Sequence, residues 1–224
     1  MRTGPAFLFD LDGTLVDSVY QHVLAWREAL EQSGIELAVW RIHRRIGMSG
    51  GLFVNALLRE IGRAVTSDDV THIQRLHAEA YARLATGSPA SWCARVAGAP
   101  LATGCALGRR NKWTSGNSAP GLDLLGLGPQ ASVITRDEVQ YAKPDPDLFL
   151  AAASRLGMPI DEAVVVGDSI WDPLAARRAR ALGVGLLSGG YGQDELERAG
   201  AYRVYQDPAD LLRHLDEVGV RTGG

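Results

Sequence analysis

Ala6-Phe7-Leu8-Phe9 runs directly into Asp10-Leu11-Asp12-Gly13-Thr14. Four apolar residues with no polar alternation read as a strand buried on both faces, the kind found in parallel sheets covered by helices. Such strands gather function where they stop. Here two carboxylates stand two residues apart at the stop. Period-two alternation would point Asp10 and Asp12 the same way, although a strand ending at Gly13 can splay them. Anions this close repel unless a cation or a shared proton intervenes. A hard divalent ion with oxygen ligands supplies the cation, and Mg2+ takes few carboxylates plus substrate phosphate. Ala163-Val164-Val165-Val166-Gly167 repeats the pattern and again ends on an aspartate, Asp168.

Working outward, Asp17 and Ser18 offer caps for a helix to Ser33, with Val23, Trp26 and Leu30 on one face and Gly34 as its stop. Helical spacing continues over 37–46, 52–61 and 67–85; in the last, Val70, Ile73, His77, Ala80 and Leu84 recur on one face. From residue 133 the pattern alternates. A strand is predicted at 133–135, a helix at 147–156 and a strand at 163–167. A helix at 173–182, a strand at 184–187, a short helix, a strand at 202–205 and a helix from Pro208 follow. Alternation of this kind argues an α/β fold with a Rossmann-like parallel sheet. The helical block between the first strand and the rest is then an inserted α-helical cap. The expected division is a core of 1–15 and 87–224 with a four-helix cap of 16–86.

One segment breaks the pattern. Residues 87–113, where the core needs a helix and a buried strand, carry neither a clear period nor a β-branched run, and no acidic residue stands between 80 and 122. Two readings fit: an irregular loop, unusually long for a compact domain, or a local reading-frame shift that keeps length and scrambles residues. Translating this window of the coding DNA in the other two frames separates them.

The 224 residues are 46% hydrophobic and 22% charged, enough apolar material for a sizeable core without staples, which excludes disordered and disulfide-scaffold classes. A net charge of -3 offers no basic excess for nucleic acid. No apolar run reaches the roughly 20 residues that cross a bilayer, and the N-terminus lacks an export pattern. Cys93 and Cys105 have no metal spacing. A cytoplasmic protein is expected, with no nucleic-acid or membrane partner, as monomer or homodimer.

Asp168 begins Asp168-Ser169-Ile170-Trp171-Asp172, where it could complete a metal site with Asp172 as ligand or support; Asp172 also reads as a helix cap. Only two lysines occur among the 23 basic residues, which marks Lys143, in Ala142-Lys143-Pro144-Asp145-Pro146-Asp147, as chemically required. The prolines that follow it stiffen the approach and disfavour helix before them, and a buried ammonium between carboxylates would neutralise a phosphoryl group. Thr114-Ser115-Gly116-Asn117 offers a hydroxyl, backbone amides and an amide side chain near a predicted helix start, a nest that suits phosphate or a common turn.

In this order, FLFDLDGTLVDS, TSGN, AKPDPDLF and VVVGDSIWD resemble the motifs of the haloacid dehalogenase-like phosphohydrolases, over nearly the whole chain. The helical insert after the first motif resembles the cap of the subgroup containing phosphoglycolate phosphatase and β-phosphoglucomutase. The resemblance implies Asp10 as nucleophile forming an aspartyl phosphate, and Asp12 as general acid, then base. It implies Thr114 and Lys143 as phosphoryl binders, with Ser115, Gly116 and Asn117 beside them. Mg2+ would be held by Asp10, the Asp12 carbonyl and Asp168, with Asp172 at the same site. The departure lies before Thr114, where Arg109, Arg110, Asn111 and Lys112 stand in place of the family's apolar strand. A lost strand would leave a damaged copy of the enzyme.

On the cap, the resemblance puts His22 where β-phosphoglucomutase has a histidine coupling closure to proton transfer, and Gly50 where the mutase has a phosphate-gripping arginine. Arg44 or Arg45 could substitute, or lie on a solvated helix end. His72 and His77 read as structural or exposed. The expected activity is a Mg2+-dependent phosphatase for a small phosphorylated metabolite, sugar phosphate or phosphoglycolate in type. A β-phosphoglucomutase-like mutase or an impaired copy is the alternative. A dehalogenase would not need Asp12 or a metal. A receiver-type signalling domain has no helical insert and about half this length.

Overall fold

The computed structural model describes residues 5–64, 66–84, 103–105 and 132–220. The chain divides into two compact units, Met1–Asp17 with Pro89–Gly224, and Ser18–Ser88.

The first unit is built on a parallel sheet of β1 (Ala6–Phe9), β2 (Thr103–Cys105), β3 (Ser132–Val133), β4 (Ala163–Gly167), β5 (Leu182–Leu186) and β6 (Arg203–Tyr205). Their order across the sheet is β3-β2-β1-β4-β5-β6. Every pairing is parallel. Parallel neighbours need crossovers, and in the described residues α5 (Asp147–Arg155), α6 (Trp171–Ala179), α7 (Gln193–Ala199) and α8 (Pro208–Arg213) serve the second half of the sheet. The central strands β1 and β4 are buried along their whole length. Alternate residues feed different cores. Phe7, Phe9, Val164 and Val166 join one apolar cluster, while Leu8 and Val165 join another with Leu148, Phe149 and Ala175. Two-sided burial removes any need for polar alternation, which is why both strands read as unbroken apolar runs.

The expected gap before Thr114 is filled differently. Thr103-Gly104-Cys105 pairs with β1, Thr103 opposite Phe7 and Gly104 opposite Leu8. Ladder hydrogen bonds come from the backbone, so a strand of three residues forms without the apolar run that would have announced it. The rest of 87–113, and Thr114, Ser115, Gly116 and Asn117, lie outside the described residues.

The passage from α6 to β5 differs from the sequence pattern. The helix predicted over 173–182 is α6, two residues earlier at its start and three shorter at its end, and β5 starts at Leu182. Pro173 is tolerated because it sits in the first turn. The helix ends because Arg180 takes a left-handed conformation, φ 65°, at a place without the glycine that usually marks such a stop.

The second unit holds α1 (Val19–Gln32), α2 (Val39–His43), α3 (Gly50–Glu60) and α4 (Ser67–Leu84). The pattern over 37–46 gives only five helical residues, and Gly47 at φ 92° turns the chain after them. Val23, Trp26, Leu30, Ile42, Phe53, Leu57 and Ile73 share one core. The rings of Trp26 and Phe53 lie 4.2 Å apart. Phe53 is 1% exposed, so Phe53→Ala should destabilise this unit by about 3–5 kcal/mol, measured as a lowered urea midpoint followed by tryptophan fluorescence.

Candidate active site

Phe9 stands opposite Val166 in the β1–β4 ladder, and the Asp10 amide continues the pairing by donating to the Val166 carbonyl at 2.9 Å. The two strands therefore release Asp10 and Asp168 at the same edge of the sheet. Beyond β1 the chain folds into a tight turn, where the Leu11 carbonyl accepts from the amides of Leu15 and Val16, both at 2.9 Å. Gly13 takes φ 83° there, a conformation that costs other residues a Cβ clash. Asp12 lies in this turn and forms an isolated bridge with Val16.

Asp10, Asp168 and Asp172 are all buried, and one carboxylate oxygen from each lies within 4.8 Å of the others. Lys143, 6% exposed, is set among them. Its Nζ lies 2.7 Å from Asp10 Oδ2 and donates to Asp172 Oδ1 at 2.8 Å. Asp172 sits in the first turn of α6, whose cap residue is Ile170. Its second oxygen accepts from the Ser169 amide at 3.1 Å and the Ser169 hydroxyl at 2.6 Å. A Cβ at Gly167 would stand 2.2 Å from the Asp172 Cγ, so only glycine leaves room for this carboxylate. Thr14 donates its hydroxyl to Asp168 Oδ1 at 2.7 Å.

Charge is unbalanced inside the cluster. Burial pushes the Asp10 carboxyl up to about 6 against the pull of Lys143, with Asp172 and Asp12 adding to the rise. Burial also raises Asp168 well above the usual carboxylate range, helped by Asp172 and Asp10. Burial works to lower the Lys143 ammonium, but its two carboxylate partners outweigh that and hold it charged. One ammonium cannot neutralise three carboxylates. Hard oxygen donors carrying excess negative charge fit a divalent cation of the Mg2+ type. The Asp12 side chain is not among the three clustered carboxylates.

His22 and Arg45 belong to the second unit. His22 Nδ1 lies 3.2 Å from His77 Nε2, and its ring stacks on Tyr81 at 3.9 Å. His77 stacks in turn on Trp26 at 3.9 Å. Arg45 forms an ion pair with Glu60, which also pairs with Arg41 at 3.2 Å. His72 is exposed and His77 buried.

The local sequence pattern marks no role for Thr14 or Ser169, although both stand inside the motifs quoted above. It also passed over Ser188, whose hydroxyl donates to the Gly13 carbonyl at 2.6 Å, and Gly189. Their signal was the strand before them: β5 neighbours β4, so its end reaches the same edge.

The haloacid dehalogenase-like hydrolase family profile matches residues 114–180. A phosphoglycolate phosphatase of Rhodospirillum rubrum is 33% identical over 214 residues, 92% of this chain and 88% of that protein. The crystal structure of a hydrolase from Pseudomonas syringae is 50% identical with a TM-score of 0.87, covering 96% of this chain and 99% of the other. A β-phosphoglucomutase from Clostridium difficile, at 21% identity and TM-score 0.75, shares the fold over 96% of each chain.

Lys143→Met should remove the partner of two buried carboxylates, Asp10 and Asp172, and cost about 3–5 kcal/mol. Carboxyls raised on folding, as Asp10 is to about 6, favour the folded chain below the unfolded value and lose that contribution as pH rises. The loss in Tm should therefore be larger at pH 8 than at pH 5, and added MgCl2 should recover part of it at pH 8.

Proposed function

The chain belongs to the haloacid dehalogenase-like hydrolase family, and we propose that it is a Mg2+-dependent phosphatase hydrolysing a small phosphorylated metabolite through an aspartyl-phosphate intermediate. The observation that carries this reading is the Asp10 carboxylate, buried at a strand end and held at 2.7 Å by Lys143. One oxygen is committed to the ammonium, and the other is left to attack phosphorus. The bond from phosphorus to the leaving alcohol breaks as Asp12 donates its proton. Asp12 then takes a proton from water, whose oxygen attacks phosphorus and returns Asp10 as a carboxylate with inorganic phosphate released. Lys143 balances charge on the phosphoryl oxygens, and Thr114, Ser115, Gly116 and Asn117 would bind them.

Asp10, Asp168 and the Asp12 carbonyl would hold Mg2+, with Asp172 as a further ligand or as the anchor of Lys143. When bound, the ion would offset the excess carboxylate charge and the charge of the phosphoryl group. The helical unit, as a cap over 16–86, would bring His22 and Arg45 to the substrate. Substrate class follows the phosphoglycolate phosphatase at 33% identity, so a phosphoglycolate or sugar-phosphate monoester is proposed. Two cysteines without metal or disulfide-scaffold spacing fit action in the cytoplasm. Among the described residues, no helix is long and apolar enough to cross a membrane. A mutase would need a grip on a second phosphate; Gly50 provides none, and Arg45 is paired with Glu60.

The test is phosphate release from a panel of phosphorylated metabolites and p-nitrophenyl phosphate, with and without EDTA. Asp10→Asn should lower turnover roughly 1,000-fold or more, and EDTA should abolish it. Equal turnover by the variant removes Asp10 as nucleophile. Conversion of β-glucose 1-phosphate to glucose 6-phosphate without phosphate release would make the chain a mutase. A folded wild-type chain with no turnover would make it an impaired copy.

A further inference from the structure

The turn at Leu187–Gly189 follows β5 and takes no part in the chemistry above, yet it touches two of the loops that carry it. In the β4–β5 ladder Gly185 stands opposite Gly167, so the chain emerging from β5 runs beside Asp168. The Ser188 hydroxyl crosses to the other loop and donates to the Gly13 carbonyl at 2.6 Å. Gly189 lies against Asp168 itself. A Cβ added there would sit 2.2 Å from Asp168 Oδ2 and 2.4 Å from the Asp168 carbonyl oxygen, distances no side chain tolerates. Gly189 is buried and the Asp168 side chain is buried with it.

These contacts close a ring. Ser188 holds Gly13; the next residue, Thr14, donates to Asp168 Oδ1 at 2.7 Å; and Asp168 packs its other oxygen against Gly189. Asp168 is thus constrained at both oxygens, by a hydroxyl on one and by bare backbone on the other. The first constraint is only as firm as the turn that bears Thr14. That turn is pinned from outside by Ser188.

We infer that Ser188 and Gly189 are positioning residues for the cation site, setting the Asp168 carboxylate through the Gly13–Thr14 turn and through direct backbone contact. The inference rests on the proposed Mg2+-dependent reading of the same site. Neither residue brings charge to the ion. They act by removing alternatives: without the Ser188 hydroxyl the Gly13 carbonyl is free to turn away, and without the glycine hydrogen Asp168 must rotate out of the cluster. Groups that orient metal ligands from behind are typically worth 10- to 100-fold in metal affinity.

The experiment is calorimetric titration of the full chain with MgCl2, paired with p-nitrophenyl phosphate hydrolysis across MgCl2 concentration. Ser188→Ala should weaken Mg2+ binding about 10-fold, raising the apparent Mg2+ constant more than it lowers kcat, while Ser188→Thr, which keeps the hydroxyl, should recover affinity. Gly189→Ala should weaken binding about 100-fold or beyond detection. If that variant does not fold, the Ser188 pair decides. Wild-type affinity in Ser188→Ala, or equal loss in Ser188→Thr, overturns the inference while a binding, hydrolysing wild-type chain leaves the phosphatase reading standing. A wild-type chain that neither takes up Mg2+ nor hydrolyses phosphate esters overturns both.

Discussion

Everything at the sheet edge depends on placing three carboxylates and one ammonium together away from water. Charges removed from solvent are costly unless paired and hydrogen-bonded. Lys143 answers part of that cost by bridging Asp10 and Asp172. Ser169 and Thr14 answer another part by donating to Asp172 and Asp168. What remains is an excess of negative charge, which in the proposed reading would draw in a cation and, with it, a phosphoryl group. A site fully satisfied by its own residues would have no such appetite.

The scaffold explains how so unfavourable a cluster persists. β1 and β4 are locked by apolar side chains on both faces, so their ends are fixed by packing well removed from the charges. Asp10 and Asp168 do not choose their separation; the ladder does. The surrounding turns then orient the carboxylates, with glycine at Gly167 and Gly189 where a Cβ would occupy carboxylate space. Rigid strands place the acids, and short loops aim them.

The sheet and the core of the site were legible because their physics is local. Two unbroken apolar runs ending in aspartate disclose buried strands and the acidic cluster at their ends, and Lys143 stands out as one of two lysines, just ahead of two prolines. Other features depend on partners far along the chain. Ser188 meets Gly13 across 175 residues, and no local spacing encodes that meeting. Arg180 ends α6 in a left-handed conformation without glycine, so the boundary with β5 carried no mark. Thr103–Cys105 joins the sheet by backbone pairing, which no apolar run announces. In the helical unit, His22 and His77 meet across 55 residues; helical spacing disclosed the faces of α1 and α4 but not which rings would stack.

The odd-even sorting of β1 and β4 between two cores has a bearing on how this chain can change over time. Exchanging one aliphatic side chain for another in these strands alters volume and little else. Inserting or deleting a single residue would reverse the sorting, sending Phe7 and Phe9 toward the layer that now receives Leu8, and would rotate Asp10 by half a pleat. Selection can therefore retouch the composition of these strands freely while their length stays frozen, and indels should accumulate in the connections instead.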